Sequence, residues 1–392
     1  MKVFRFFLLP GIVSMLFLMS GCNDTPNSVG VGIQNKEDFG VVHVDTFYAT
    51  GHTSLPNHLY TSTLDRFMLG KYESSSGPAY QAWTCMKFYN WPDSMIGIGS
   101  RITSAWIQLK GVYRFGSNPS APLTFNVYKA LASLGNDSLS YDSLALNSRF
   151  YFEASPIFTV TPDNLGDTAS YIIPFQKLSL VADWFSTNTD TSHLNDGLIF
   201  QPTSSNIIKG FYSFNNADTS LQPTLFVMYN DTNGVSRIYS HKTGGAKYVS
   251  TVSQLITDNN FMYVQDGVST RGVVSFDSIP IKWPVSILRT VLEVVAQPSV
   301  PVLHDSLYAL SVAPTGLSDG ASYAISQTAT DSSGRHHYSI DIRAIAIRWL
   351  SNASVRKVAV SGFFEGGSFD LFRLYGTGAL KPRVIITYST QP

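Results

Sequence analysis

The sequence predicts an all-β protein built as two tandem, antiparallel, jelly-roll-like β-sandwiches with short helices. Three observations carry this. Short runs alternate apolar and polar residues between turn-forming clusters, which puts one set of side chains on a core face and the other on water. The composition favours strands, with 13% aromatic and only 14% charged residues. The same succession of elements also appears twice along the chain. Formal net charge is zero and no basic block occurs, so the footprint of a nucleic-acid-binding surface is absent. About 370 residues follow the apolar leader, more than one ordinary core accommodates.

The first copy begins with Val41-Val42-His43-Val44-Asp45-Thr46-Phe47-Tyr48. Ile102-Thr103-Ser104-Ala105-Trp106-Ile107-Gln108-Leu109 and Thr124-Phe125-Asn126-Val127-Tyr128 read as half-buried strands, separated by turns such as Gly116-Ser117-Asn118-Pro119 and Gly135-Asn136-Asp137-Ser138. Ser170-Tyr171-Ile172-Ile173 precedes a segment with helical spacing, 175–185. Three strands follow, at Gly197-Leu198-Ile199-Phe200, Phe211-Tyr212-Ser213-Phe214 and Pro223-Thr224-Leu225-Phe226-Val227-Met228-Tyr229. The second copy keeps this order: Ile287 to Val294, Tyr338 to Asp341, a helical 342–350, Val358-Ala359-Val360, Phe369 to Phe372, and Pro382 to Tyr388. Phe88 and Phe276 stand in matching places. The turn-rich Asn230-Asp231-Thr232-Asn233-Gly234 is expected to join the copies. The expected domains are 41–230 and 231–392. Asp331 to Arg335, before His336 and His337, reads as a hairpin tip.

The N-terminus has a different character. Lys2 and Arg5 precede an apolar run from Phe6 to Leu18. That is too short to span a bilayer, which needs about 20 residues, and it reads as a cleaved signal. Met19-Ser20-Gly21-Cys22 resembles the lipobox of bacterial lipoproteins, with Met19 where the family prefers Leu. The resemblance implies a signal peptide over 1–21, lipid attachment at Cys22, and a tether over 22–40. The expected location is the outer membrane or cell surface. The expected partners are the membrane, through the lipid, and a glycan or envelope protein.

The search for chemistry returns little. With Cys22 assigned to lipid, Cys85 remains, and its strand-like surroundings read as a buried, inert thiol. None of the eight histidines falls in a metal-ligand spacing, and no nucleophile elbow or phosphate-cradling loop is present. No metal, cofactor or catalytic residue is expected. Asp65, Asp183 and Glu365 are the carboxylates to watch for a glycosidase cleft, and surface placement is the expectation for them. Trp91, Trp83, Tyr113 and Tyr212 are the candidates for a sugar-binding platform, Trp91 first because Pro92 places it in a loop.

The succession of Phe88, Ile102 to Leu109, Phe125 to Tyr128, a Trp-bearing helix, Asp196 to Phe200, Phe211 to Ser213 and Pro223 to Val227 resembles the DNRLRE (disaggregatase-related) β-sandwich modules of secreted bacterial proteins. The resemblance covers roughly 45–229. It is looser in the second half, where Val358-Ala359-Val360 replaces the Asp-Gly-Leu element. It implies a binding or structural module, and there are no family catalytic residues to carry over. Val44-Asp45-Thr46 and Leu69-Gly70-Lys71-Tyr72 also resemble uncharacterised lipoproteins of Bacteroidetes-type bacteria. In such bacteria Asp followed by Ser or Thr and an aliphatic residue resembles an O-glycosylation acceptor, which marks Ser94, Ser138, Ser143, Thr168, Ser278 and Ser306. The expected function is a non-catalytic cell-envelope lipoprotein that binds glycans or other surface components. A structural or scaffolding role and a glycan-active hydrolase are the alternatives.

Overall fold

The protein is described as a computed structural model. The structure describes residues 40–56, 61–73, 77–116, 118–131, 152–163, 166–185, 195–204, 206–254, 256, 258–268, 270–281, 284–297, 307–313, 316–317, 324–351 and 356–390. Cys22, Ser138, Ser143 and Ser306 lie outside these residues.

Among the described residues the chain is all-β and antiparallel, with two short α-helices. The first two strands are β1 (Val42–Tyr48) and β2 (Gly51–Pro56). Eleven strands then form one sheet: β3 (Arg66–Glu73), β4 (Ala79–Lys87), β5 (Ile102–Phe115), β6 (Phe125–Lys129), β7 (Phe158–Val160), β8 (Ser170–Pro174), β9 (Leu198–Pro202), β10 (Ile207–Tyr212), β11 (Thr224–Asn230), β12 (Ser236–Lys242) and β13 (Gly245–Val252). Their order is β12-β11-β5-β10-β3-β4-β9-β6-β7, with β8 on β5 and β13 on β4. The remaining strands are β14 (Phe261–Gln265), β15 (Thr270–Ser275), β16 (Val285–Ala296), β17 (Leu307–Ala313), β18 (Gly316–Leu317), β19 (Ala324–Ile325), β20 (Gln327–Thr330), β21 (His336–Asp341), β22 (Lys357–Gly362), β23 (Leu371–Tyr375) and β24 (Arg383–Thr390). Together with β1 and β2 they make a 13-stranded sheet.

The long strand β5 organises the first sandwich. Its odd-numbered residues from Ala105 to Phe115 are buried and its even-numbered ones are partly exposed, the period-two pattern of a strand with one face on the core. Ile107, Leu109 and Phe115 are fully buried, and each such side chain contributes about 1.5–3 kcal/mol by leaving water. Helix α1 (Leu178–Trp184) buries Leu180, Val181 and Trp184, and α2 (Arg343–Ser351) buries Ile345, Ala346 and Trp349. Both sets follow the i, i+1, i+4 spacing of one helical face. Trp184 stacks on Phe88 at 6.2 Å and Trp349 meets Phe276 at 5.6 Å, so the matched phenylalanines anchor matched helices.

The repeat holds at the level of individual residue pairs. Ile102 faces Tyr229 and Ile287 faces Tyr388, each beside a bulge that skips the next residue. Gln108 faces Thr224 as Glu293 faces Arg383. Phe175 donates its N–H to the carbonyl of Ala105, and Ile342 donates to that of Thr290.

The boundary expected after residue 230 is not where strand pairing changes hands. Asn230 to Gly234 closes a tight hairpin between β11 and β12. Asp231 Oδ1 accepts from the N–H groups of Asn233 and Val235, and Gly234 takes the left-handed conformation, φ 75°. Asp331 closes the β20–β21 hairpin in the same way, with Gly334 at φ 74°. Strands β12 and β13 then complete the first sandwich by pairing with β11 and β4. Strands β1 and β2, expected in the first sandwich, instead pair with β24 and β15 of the second. A strand edge is satisfied by any extended segment of suitable phase, so the local pattern of 41–56 could not distinguish the two.

Candidate functional site

The outer face of the first sandwich is open where β8, β5, β11 and β12 lie side by side. The outward residues form rows across these strands. Ile172, Gln108, Thr224 and Lys242 make one, and Pro174, Trp106, Phe226 and Ser240 the next. Trp106 and Phe226 are direct cross-strand partners whose rings stack at 5.2 Å and 9°. Both are half-buried, while Pro174, Ser240 and Lys242 are exposed. Such a cross-strand aromatic pair contributes about 0.2–1 kcal/mol to the sheet and fixes the two rings against each other.

A shallow groove of about 350 Å³ runs beside this pair. Phe226 lines it, with Gln108, Lys110, Ser170, Gln222, Thr224, Ser240 and Lys242 supplying amide, hydroxyl and ammonium groups. Gln108 Nε2 donates to Ser170 Oγ at 3.2 Å, and Thr224 Oγ1 donates to the Gln222 carbonyl at 3.0 Å. The rim is built by the turn at 218–222. Asp218 Oδ1 accepts from the N–H and hydroxyl of Ser220, which holds its carboxyl below the usual range. Lys242 Nζ donates to the Thr219 carbonyl. The groove lining carries two lysines and no carboxylate. Its chemistry is that of hydrogen bonding beside an aromatic ring.

The second sandwich provides an internal comparison. Val291 and Ile385 stand where Trp106 and Phe226 stand in the first. An ion pair between Arg383 Nε and Glu293 Oε2, 2.6 Å apart, occupies the place of Thr224 and Gln108. The repeat therefore conserves the scaffold and changes the face.

The residues singled out in the sequence do not converge there. Trp83 is buried against Phe152, with ring centroids 6.1 Å apart. Tyr113 is buried and points into the junction described below. These two are closed to a ligand because they occupy core positions. Trp91 is half-buried in an aromatic nest, 4.6 Å from Phe185 and 4.4 Å from His241, and also stacks on Trp184. Burial holds the His241 imidazole below its ordinary pKa. Tyr212 ends β10, paired with Arg66 and partly exposed. Ser94, Thr168 and Ser278 are exposed. Cys85 is buried, and burial pushes its thiol up to about 12. Trp106 was missed as a binding residue, although its phase gives it away: it alternates with buried Ala105 and Ile107 and so points outward with Ser104 and Gln108.

Among the described residues, carboxylates gather in a buried place between the sandwiches: Asp266 and Asp370 meet there with Glu365, which is largely buried rather than at the surface as expected, while Asp65 and Asp183 lie elsewhere. Tyr113 Oη donates to Asp370 Oδ1 at 3.0 Å and accepts from the Phe369 N–H at 2.9 Å. Ser368 Oγ donates to Asp266 Oδ2 at 2.6 Å, and the Asp266 N–H donates to the Asp370 carbonyl. Burial, followed by repulsion from Asp370, pushes the Asp266 carboxyl well above the usual range. Arg271 clamps Glu365 with Nε at 2.8 Å and Nη2 at 2.7 Å. Tyr248 Oη reaches the Gly366 carbonyl and Ser250 Oγ that of Gly267. Asp266 and Asp370 are 1% and 0% exposed, so water and sugar do not reach them, unlike a glycosidase pair in a cleft. Among the described residues no group of three or more His, Cys, Asp or Glu side chains is placed to hold a metal.

No protein-family model matches the chain, and no curated protein matches it. Among solved structures, the C-terminal domain of the Streptococcus agalactiae AgI/II polypeptide BspA aligns at 10% identity over 83% of this chain and 91% of that one, with a TM-score of 0.14. Infectious bursal disease virus, Gt strain, aligns at 9% identity over 92% of this chain and 77% of that one, with a TM-score of 0.16.

Proposed function

We propose that the chain is a non-catalytic, lipid-anchored protein of the cell envelope whose first sandwich binds glycans along the β8-β5-β11-β12 face. The observation that carries this reading is the stacked Trp106–Phe226 pair beside a groove of hydroxyl, amide and ammonium groups. A pyranose presents an apolar C–H face and a rim of hydroxyls, and a site that recognises it needs an aromatic surface beside oriented hydrogen-bonding groups. The second sandwich, with Val291, Ile385 and an ion pair in the same places, lacks that combination and serves as scaffold. The leader and Cys22 support anchoring to a membrane, with the outer membrane or cell surface as the setting. The exposed Ser94, Thr168 and Ser278 are sterically open to glycosylation.

The test is a broad glycan array probed with the soluble chain, wild type beside Phe226→Ala and Trp106→Ala. Binding that both variants lose and Trp91→Ala retains supports the proposal. Absence of any binding by folded protein transfers the assignment to a scaffolding role, and binding lost only in Trp91→Ala moves the site to the aromatic nest.

A further inference from the structure

The two sandwiches are each completed by a pair of strands that forms no hairpin of its own. β12 and β13 bridge the two layers of the first sandwich, β12 on β11 and β13 on β4. β1 and β2 do the same for the second, on β24 and β15. The two arms correspond residue by residue. Lys242 faces Thr224 and Tyr48 faces Arg383. Thr243 donates its N–H to the Pro223 carbonyl, and Ala49 donates to that of Pro382. Gly245 faces Lys87 and Gly51 faces Ser275. The next bonds match too: Gly244 donates its N–H to the Lys87 carbonyl, and Thr50 donates to that of Ser275. One sequence offset relates every pair of matched arm residues, Val42 to Ser236, Tyr48 to Lys242 and Gly51 to Gly245.

The order along the chain is therefore arm, sandwich, arm, sandwich. The second arm folds back onto the sandwich that precedes it. The first arm crosses instead to the second sandwich, pairing with β24 and β15. There it is held along its whole length. Seven residue pairs link β1 to β24 and six link β2 to β15. Tyr388 Oη donates to Asp45 Oδ2 at 2.8 Å, His43 stacks on Tyr388 at 5.1 Å, the Tyr263 N–H donates to Ser54 Oγ at 2.7 Å, and Phe47 packs on the core. Without the arm, β24 and β15 would present unpaired edges, and such edges take up any matching strand.

We infer that β24 and β15 form an acceptor site for the arm 42–56, and that a second copy of this chain supplies that arm by strand exchange. Every interaction of the arm with its acceptor is the same whether the arm comes from the same chain or another. The two closures differ in the entropy of the covalent connection between arm and acceptor. Closure within one chain is favoured by an effective concentration on the order of millimolar. Exchange then grows in proportion to protein concentration and leads to head-to-tail assemblies in which each arm clasps its neighbour.

Cross-linking separates the two closures. Val44 and Thr387 are directly opposite each other across β1 and β24, a separation that a disulfide spans. Val44 is exposed, so a cysteine there costs little packing. In the full chain with Cys22→Ala, the double variant Val44→Cys, Thr387→Cys closes a disulfide within one chain. The two single variants, unfolded together and co-refolded, form more covalent heterodimer than the same variants mixed in the native state only if arms exchange. The expected result is such a heterodimer, with its ratio to monomer falling about tenfold on tenfold dilution of the refolding mixture. Cys85, with burial pushing its thiol up to about 12, does not compete. Two results overturn the inference. One is a double variant that closes while the co-refolded single variants yield no more heterodimer than the native mixture. The other is a double variant that does not close, which would contradict the arm's register.

Discussion

Phe369 belongs by sequence to the second sandwich, immediately before β23, yet its ring is fully buried in the core of the first. It lies 6.1 Å from Tyr80 and 5.9 Å from Phe115, and its N–H holds the Tyr113 hydroxyl that reaches Asp370. Removing the ring with Phe369→Ala deletes a buried aromatic side chain and leaves a cavity, a change that costs about 3–5 kcal/mol. The two ring–ring interactions each contribute about 0.5–1.5 kcal/mol beyond their area. Both join one sandwich to the other, so the cost falls on the coupling between them. Differential scanning calorimetry should show one transition for the wild-type chain and two resolved transitions for the variant. Phe372→Ala, which empties a site in the second core alone, should cost a similar amount and keep the transitions together. A Phe369→Ala chain that still unfolds in one step, less than about 1 kcal/mol weaker, would refute the view that this insertion couples the halves.

Asp266 binds its proton more tightly when folded than when unfolded. The stability it contributes is fully present below the unfolded carboxyl value, about 3.9, and is lost as pH rises toward the folded value. Asp266→Asn should therefore raise urea stability at pH 8 more than at pH 5, and an equal change at both would contradict the assignment. Cys85 should resist thiol reagents in the folded chain at pH 8 and react at the rate of global unfolding, because burial pushes its thiol up to about 12; rapid labelling of native protein would count against this. Gly70 sits at φ 145°, and a Cβ there would fall on the Ile207 carbonyl oxygen across the β3–β10 ladder. Gly70→Ala should cost more than about 1 kcal/mol in a denaturant melt, and a neutral effect would show that the ladder yields.

Much of the fold was legible because it is written in local alternation. The phase of Ala105, Ile107 and Leu109 against Ser104, Gln108 and Lys110 is enough to define a strand and its faces. The matched Phe88 and Phe276, each before a Trp-bearing helix, expose the repeat. The crossing of the first arm to the second sandwich was not legible, since Val42 to Tyr48 meets Arg383 to Ser389 across nearly the whole chain and nothing local selects that edge. The turn at Asp231 misled for a related reason: Asp followed three residues later by Gly suits a hairpin as well as a linker, and the strand beyond it decides. The site was partly legible. Tyr113 shares the phase of buried Leu109, and Trp106 the phase of outward Gln108, so the strand period sorts one into the junction and the other onto the open face. Trp91 was drawn into the candidate set by its neighbour Pro92, while the rings that cover it come from α1 and β12 and leave no local trace.

The most direct test of glycan binding on the first sandwich is hydrogen–deuterium exchange of the chain with the best array-selected oligosaccharide, compared with the free chain. The account predicts new protection confined to peptides from β5, β8, β11 and β12 and the 218–222 rim. Protection on β16, β21, β24 and β1 instead, or around Trp91 alone, would contradict it.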